Sequence, residues 1–447
     1  MVTKQQILDL VKEYVEEKRS HESWKEGEWV PYSGPVFDSS EYIAAIDSFL
    51  DEWLIFGPKG REFEVEFSKH LGKTDGVLVN SGSSANLLMV TAAKKIYKWE
   101  DGDKIITPVV CFPTTINPII QNNLVPVFVD STLPSLNLDL DQVEEKLKED
   151  PGIKGIVFAH VLGNPPNMDR LMDLVEKYDL VLMEDSCDAL GSTYRGQKLG
   201  SFGQFSTCSF FPAHHMTMGE GGFVAASVGK GRRLLASLRD WGRACFCNTS
   251  KPGNVMEGTA CGDRFKTWLP GKPEAVYDHR YVFDEIGYNL KPLELQACMG
   301  LEQLKKLPFL DRKRRENHSR LHSIFEKHGK YFHLPEAEPG SDPCWFAFLL
   351  TVREDAPFSR QDIVSFLESK KIQTRSYFCG NILAHPAYYP MVEPGTKLEE
   401  VYPIADIVTT NSFFMGTYAG LTEDQIVYIS KVIDSFFESL NIGARAG

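Results

Sequence analysis

The sequence has 447 residues, 43% of them hydrophobic and 24% charged, which suits a sizeable core in one large or two unequal domains. Its formal charge of -13 argues against unspecific nucleic-acid binding and leaves room only for a local basic pocket of the kind a phosphorylated small molecule needs. No apolar run has the length of a membrane-spanning helix, no secretory signal opens the chain, and an odd set of nine cysteines does not suggest a disulfide framework. The expectation is a cytoplasmic protein without a membrane anchor.

The opening stretch MVTKQQILDLVKEYVEEKRS reads as a charged amphipathic helix, with Thr3 and Gln6 spaced as a capping box. Between roughly residues 60 and 300, apolar runs alternate with amphipathic segments. Candidate strands are GVLVN (76–80), KIITP (104–108), VPVFVD (125–130), KGIVFAHV (154–161), LVLMED (180–185), FSTCSFF (205–211) and GGFVAAS (221–227). Helical patterns such as SSANLLMVTAAKKIYKW and NMDRLMDLVEKYD fall between them. This alternation predicts an α/β fold with a mostly parallel sheet and helices on both faces. Beyond residue 310 the pattern changes to helix, strand CWFAFLLTV, helix RQDIVSFLESKK, strand TRSYFCG and a closing helix opened by Thr422, which predicts a smaller α+β domain. The expected division is 60–310 for the large cofactor-binding domain and 311–447 for the small one, joined by the N-terminal segment 1–59.

Ligands of open α/β sheets bind beyond the carboxyl ends of the strands, so the residues following each strand matter most. After GVLVN, the run Ser81-Gly82-Ser83-Ser84 leads into a helix whose free N–H groups can receive a phosphate, or simply be capped. LVLMED ends in Glu184-Asp185, an acid carried by an apolar strand to the interior; a pyridinium nitrogen would meet it, and so would an arginine. Phe112, after KIITP, is placed to stack on a flat ring or to fill the core. Ser209 and the loop SFFPAHHMTMGEGG complete the set.

The motifs NSGSSANLL, VVCFPTTINP, EDSCDALGS, SFFPAHHMTMGEGG and IGYNLKPLELQACMGLEQL occur in the order and spacing of the sugar aminotransferases that act on nucleotide-linked keto-sugars, a fold-type I pyridoxal-phosphate (PLP) family. The resemblance runs from VPYSGPVF to the last helix. It implies a phosphate cradle at Gly82 and Ser83 helped by Ser209, a ring stacked on Phe112, and Asp185 against the pyridine nitrogen. It also implies that Asn289 reaches the cofactor phosphate of a neighbouring subunit, which makes a homodimer obligatory. Where the family carries its Schiff-base lysine, five residues before GEGG, this chain has His214. An imidazole cannot hold the cofactor covalently, so pyridoxamine phosphate (PMP) would be bound by non-covalent contacts alone. With an ordinary pKa of about 6.5, the histidine can still move a proton at its C4′ carbon near neutral pH. His215 is the competing histidine, and alternation in extended chain points only one of the two at the cofactor.

Within the family this replacement resembles the 3-dehydrases, which remove the C3 hydroxyl of a nucleotide-linked 4-keto-6-deoxyhexose on the way to the 3,6-dideoxyhexoses of surface polysaccharides such as lipopolysaccharide O-antigen. One kind uses glutamate and no cluster. The other, acting on CDP-4-keto-6-deoxyglucose, carries a 2Fe-2S cluster and takes electrons from a flavin- and iron–sulfur-containing, NADH-dependent reductase. The second resemblance implies Cys187, Cys245, Cys247 and Cys261 as ligands, since four thiolates suffice for a two-iron cluster. The insert NTSKPGNVMEGTA between Cys247 and Cys261 is longer than in that pattern, but polar enough to loop out. Inert thiols and a zinc-binding C-x-C are the competing readings. Cys111, Cys208, Cys298, Cys344 and Cys379 are assigned to the core. The resemblance also places Asp188 near the cofactor's ring hydroxyl in a catalytic, tuning role, with a helix-start carboxylate as the alternative, and makes Arg375 and Asn381 substrate-side residues of the small domain, with a surface arginine as the alternative for Arg375. A nucleotide-sugar binder without activity stays open as the alternative class.

Overall fold

The computed structural model describes residues 2–245 and 264–443. Seven strands form the main sheet: β1 (Gly76–Val79), β2 (Lys104–Pro108), β3 (Val125–Val129), β4 (Gly155–Ala159), β5 (Val181–Asp185), β6 (Phe205–Ser209) and β7 (Gly222–Ala226). Their order across the sheet is β1-β7-β6-β5-β4-β2-β3. β7 runs antiparallel to both β1 and β6, and the remaining pairs are parallel. All seven sequence-derived strands are found; KIITP keeps its expected bounds and the other six are trimmed by a residue or more at an end where a turn or loop takes over.

Alternation explains why these short apolar runs settle as strands between two layers of helices. In β1, Val77 and Val79 join a core with Leu88, Met89 and Ala92 of the helix Gly82–Tyr97, whereas Leu78 faces Phe63, Phe67 and Phe223 on the other side. Both faces of such a strand are apolar, as a parallel sheet covered on two sides requires. The register sets Asp185 beside Ala159 on one neighbour and Thr207 on the other. The acid therefore stands in the middle of the sheet at its carboxyl edge.

The helix Glu294–Glu326 is continuous, so the expected boundary at 310/311 falls inside it rather than in a linker. The smaller sheet has the order Phe332–His333, Ala347–Val352, Ser412–Gly416, Arg375–Ser376, all antiparallel. It packs through Phe348, Leu350 and Phe413 against Ile363 and Ile433 of the helices Arg360–Ser369 and Glu423–Gly443. Two expectations differ here. The strand expected over 374–380 covers only Arg375–Ser376, because the backbone turns at Phe378 and Gly380, both at positive φ. The strand Ser412–Gly416, absent from the sequence reading, is central; five residues after a helical pattern carry no period by which to tell strand from helix.

The N-terminal segment is shared out. Thr3 and Gln6 form the expected capping box. Val30 bridges Ile372 of the small domain, while Glu41 of the helix Ser39–Leu50 accepts a hydrogen bond from Gln303 Nε2 at 2.6 Å. A three-stranded patch in which Ser341–Asp342 pairs with Thr193–Tyr194 stitches the large and small parts together. Among the described residues no helix is long and apolar enough to cross a membrane.

Candidate active site

The carboxyl edge of the main sheet opens into a cleft of about 610 Å³ whose far wall is supplied by the small domain. Gly82 and Ser83 begin the helix Gly82–Tyr97; Ser81 caps it by accepting from the Ser84 N–H at 3.1 Å. A Cβ on Gly82 would lie 2.5 Å from Ser209 Cβ and 2.9 Å from its Oγ. Only glycine lets the helix start and the end of β6 approach so closely. The result is a small cradle of backbone N–H groups and a hydroxyl at a helix N-terminus, which fits a phosphate monoester.

Asp185 is 5% exposed. Its Oδ2 accepts from Asn86 Nδ2 at 2.7 Å and Thr115 Oγ1 at 2.8 Å, and its Oδ1 from the Cys187 N–H at 3.2 Å. Thr207 Oγ1 donates to Asn86 Oδ1 at 2.6 Å and so fixes which way that amide points. Every donor is neutral, and the arginine that competed with a pyridinium is not among the residues that meet this carboxylate. A buried acid held by dipoles alone is suited to a cation that arrives with a ligand. The neighbouring Glu184 faces the other side of the sheet, where His160 Nε2 lies at 3.0 Å and the N–H groups of Gly200 and Gly203 donate at 2.8 and 2.6 Å. Those contacts, led by the imidazole, hold its carboxyl below the usual range against the opposing effect of burial. Phe112, 50% exposed, lines the cleft at the start of the helix Pro113–Gln121 as an open face for a flat ring.

His214 lines the same cleft, with Nδ1 3.2 Å from Asp188 Oδ1. That approach is off the line of a hydrogen bond, so the pair is a charge contact only when the ring is protonated. His215 turns the other way; its Nε2 meets the Cys344 carbonyl oxygen at 2.7 Å, and burial, aided by Arg314, holds its pKa well below the ordinary value. Arg375 lines the cleft with its guanidinium 4.3 Å from the Tyr32 ring centroid.

Two residues are not brought to this cleft within one chain. Asn289 pairs with Asp240 across an antiparallel bridge and accepts from Lys291 Nζ at 2.6 Å. Asn381 is 2% exposed and caps the short helix Ile382–Ala384, its Oδ1 accepting from the Leu383 N–H at 3.1 Å. The latter side chain has a structural task that the sequence reading did not foresee. Asn86, Thr115, Tyr32 and Glu220 also line the cleft and were not singled out. Asn86 and Thr115 carried a readable signal, polar residues in the first turns of helices that follow strands.

Only two of the four cysteines proposed as cluster ligands, Cys187 and Cys245, fall among the described residues. Cys187 lines the cleft, its thiol pushed up by burial and then by Asp185, whereas Cys245 lines a separate cavity of about 250 Å³ beside Trp241 and Arg239. Cys247 and Cys261 lie outside the described residues. Among the described residues no three His, Cys, Asp or Glu side chains are grouped to hold a metal. These residues, taken alone, make no site for a 2Fe-2S cluster. Cys111, Cys208, Cys298 and Cys344 are buried and Cys379 half-buried.

The sequence profile of the DegT/DnrJ/EryC1/StrS aminotransferase family matches residues 37–434. The chain belongs to that family. It is 40% identical over 437 residues, 97% of this chain and 92% of the relative, to the dTDP-4-dehydro-2,6-dideoxy-D-glucose 3-dehydratase of Saccharopolyspora spinosa. It is 39% identical to the lipopolysaccharide biosynthesis protein RfbH of Salmonella typhimurium, covering 97% of this chain and 98% of that one. Among solved structures, the Escherichia coli GDP-4-keto-6-deoxy-D-mannose-3-dehydratase with bound hydrated PLP superposes with a TM-score of 0.78 at 29% identity, covering 90% of this chain and 98% of that one. The fold is the fold-type I architecture of sugar aminotransferases and dehydratases, and this family member is an enzyme of that α/β class.

Proposed function

We propose that the chain is a PMP-dependent 3-dehydratase acting on a nucleotide-diphosphate-linked 4-keto-6-deoxyhexose. One observation carries the reading. His214, which the family resemblance puts in the place of the lysine, lines the cleft 3.2 Å from Asp188 and shares it with an acid, Asp185, that meets only neutral donors among the described residues. A bound vitamin B6 phosphate supplies an amine for the substrate's C4 ketone and a ring that takes up an electron pair. Gly82, Ser83 and Ser209 would hold its phosphate, Phe112 would cover its ring and Asp185 would keep its nitrogen protonated. His214 removes the proton from C4′, and Asp188 steadies the imidazolium that results.

Asn289 belongs to this reading as a residue given to the cleft of a second copy, because it lies outside the cleft of its own. Arg375, which lies over the Tyr32 ring and donates from Nη1 to the Thr374 carbonyl oxygen at 2.7 Å with no carboxylate partner among the described residues, is assigned to the substrate's diphosphate. The resemblance favours a CDP-linked sugar. Two of the proteins named above are by name a dTDP-sugar and a GDP-sugar 3-dehydratase, so CDP-4-keto-6-deoxyglucose is the first of three substrates to assay. A 2Fe-2S cluster on Cys187, Cys245, Cys247 and Cys261, served by a separate reductase, rests on the sequence resemblance alone. Dehydration without a cluster is the second reading, favoured by the separate cavities of Cys187 and Cys245. Anaerobic iron and sulfide analysis of the wild type and Cys247→Ser separates the two.

The deciding experiment is His214→Asn. The variant keeps a polar side chain of similar reach, and it should bind PMP as the wild type does while losing release of the C3 hydroxyl by roughly 100-fold or more. Dehydration at the wild-type rate would overturn the assignment of the base.

A further inference from the structure

The residue proposed as the base does not sit on a strand or a helix. His214 lies in the loop between β6 and β7, and proton transfer demands that its ring be held to a fraction of an ångström. Behind the loop, on the helix Glu294–Glu326, stands Arg314, 3% exposed. Its Nη2 donates to the carbonyl oxygens of His214 at 2.8 Å and Ala213 at 3.3 Å, and its Nη1 to that of Phe346 at 3.0 Å. Phe346 in turn sets its ring 5.4 Å from the imidazole, centroid to centroid. One planar fork thus ties down the backbone that carries the imidazole and the backbone of the aromatic ring against which it leans.

The choice of side chain is informative. Burying a guanidinium is expensive unless it is paired, and here its hydrogen-bond partners are carbonyl oxygens; Asp311 and Asp188 act on it only through space, and Nε has no partner. An aliphatic residue would fill the same volume without that cost. What it would lack is the rigid, directional grip on three acceptors contributed by two segments of the chain.

We propose that Arg314 is the positioning residue for the His214 imidazole, fixing its ring from behind through the Ala213 and His214 carbonyls on one side and Phe346 on the other. The proposal rests on the reading of His214 as the base. Arg314 does not line the cleft, so its action on the reaction would pass through His214.

The test uses full-length, PMP-loaded protein in the forms Arg314→Ala and Arg314→Lys. Arg314→Ala should lower kcat about 100-fold with KM and PMP affinity within twofold of wild type. Guanidinium ion at tens of millimolar should recover a large part of the loss, and urea, neutral and of the same shape, should not. Arg314→Lys, the fallback if the alanine variant does not fold, keeps the charge but cannot reach all three carbonyls in one plane, and should lose about tenfold in kcat. Either variant at wild-type kcat, or a loss of PMP affinity as large as the loss of kcat, would reject the positioning role. A second readout needs no substrate. In protein labelled at histidine Cε1, the NMR signal that disappears in His214→Asn should shift or broaden in Arg314→Lys, and an unchanged signal would equally reject it. If the wild type itself dehydrates none of the three substrates, the functional reading fails while the NMR result still decides on Arg314.

Discussion

Replacing Asp185 by asparagine changes one thing in the cleft, the charge, and the structure says how the two states should respond. In the protein without coenzyme the carboxylate is 5% exposed and held by three neutral donors, at 2.7 and 2.8 Å on Oδ2 and 3.2 Å on Oδ1. An amide oxygen turned toward Asn86 and Thr115 keeps the two short bonds. The NH₂ group then meets the Cys187 N–H, so the longest bond is lost at a cost of about 1 kcal/mol. Against that, a buried charge with no counter-ion is removed, which is worth at least as much. The apo variant should therefore be as stable as the wild type or slightly more so in urea unfolding. The loaded variant should lose a charge-assisted hydrogen bond to the pyridine nitrogen, about 1.5–3 kcal/mol, which weakens PMP about 10- to 150-fold in a fluorescence titration. Opposite signs in the two states are the signature. Unchanged PMP affinity would refute the pairing, and a clearly destabilised apo protein would refute the view of Asp185 as an acid awaiting its cation.

Gly82→Ala forces a methyl group to within 2.5 Å of Ser209 Cβ; the helix start and β6 must part, at about 1–3 kcal/mol in unfolding, and PMP affinity should fall by tenfold or more. A wild-type affinity for PMP in that variant would remove the cradle from the site. His318 is stacked 4.2 Å from Trp345 and its pKa is lowered by burial to about 3. Because that value lies below the ordinary one, the stability it contributes is full above pH 6.5 or so and is lost as the pH falls toward 3. The stability difference between wild type and His318→Phe should thus shift in favour of the variant on going from pH 7.5 to 4.5 in urea titrations; a constant difference would contradict the buried neutral ring.

Much of this architecture was readable before any coordinates. The main-sheet strands announce themselves because apolar runs of four to six residues bounded by glycine, asparagine or aspartate have few other ways to be buried on both faces. The roles of the motifs at their carboxyl ends, His214 among them, come from the family resemblance and not from periodicity or spacing. The seam between the two parts was not readable, since the helix Glu294–Glu326 has no composition break where a boundary was expected. Nor was Ser412–Gly416, a strand only because Ala347–Val352 and Arg375–Ser376 lie on either side of it.

What the sequence determined by itself is local: which runs become strands and which residues follow them at the carboxyl edge of the sheet. The tertiary structure decided what those residues meet. It set Asn86 and Thr115 on Asp185, turned His214 toward the cleft and His215 away from it, and brought Arg314 up behind the loop. It gave Asn381 a helix to cap and placed Cys187 and Cys245 in different cavities. The reason is that periodicity and spacing encode neighbours along the chain, whereas hydrogen-bond partners and shared cavities join residues tens or hundreds of positions apart, and their pairing is fixed only when the whole chain is packed.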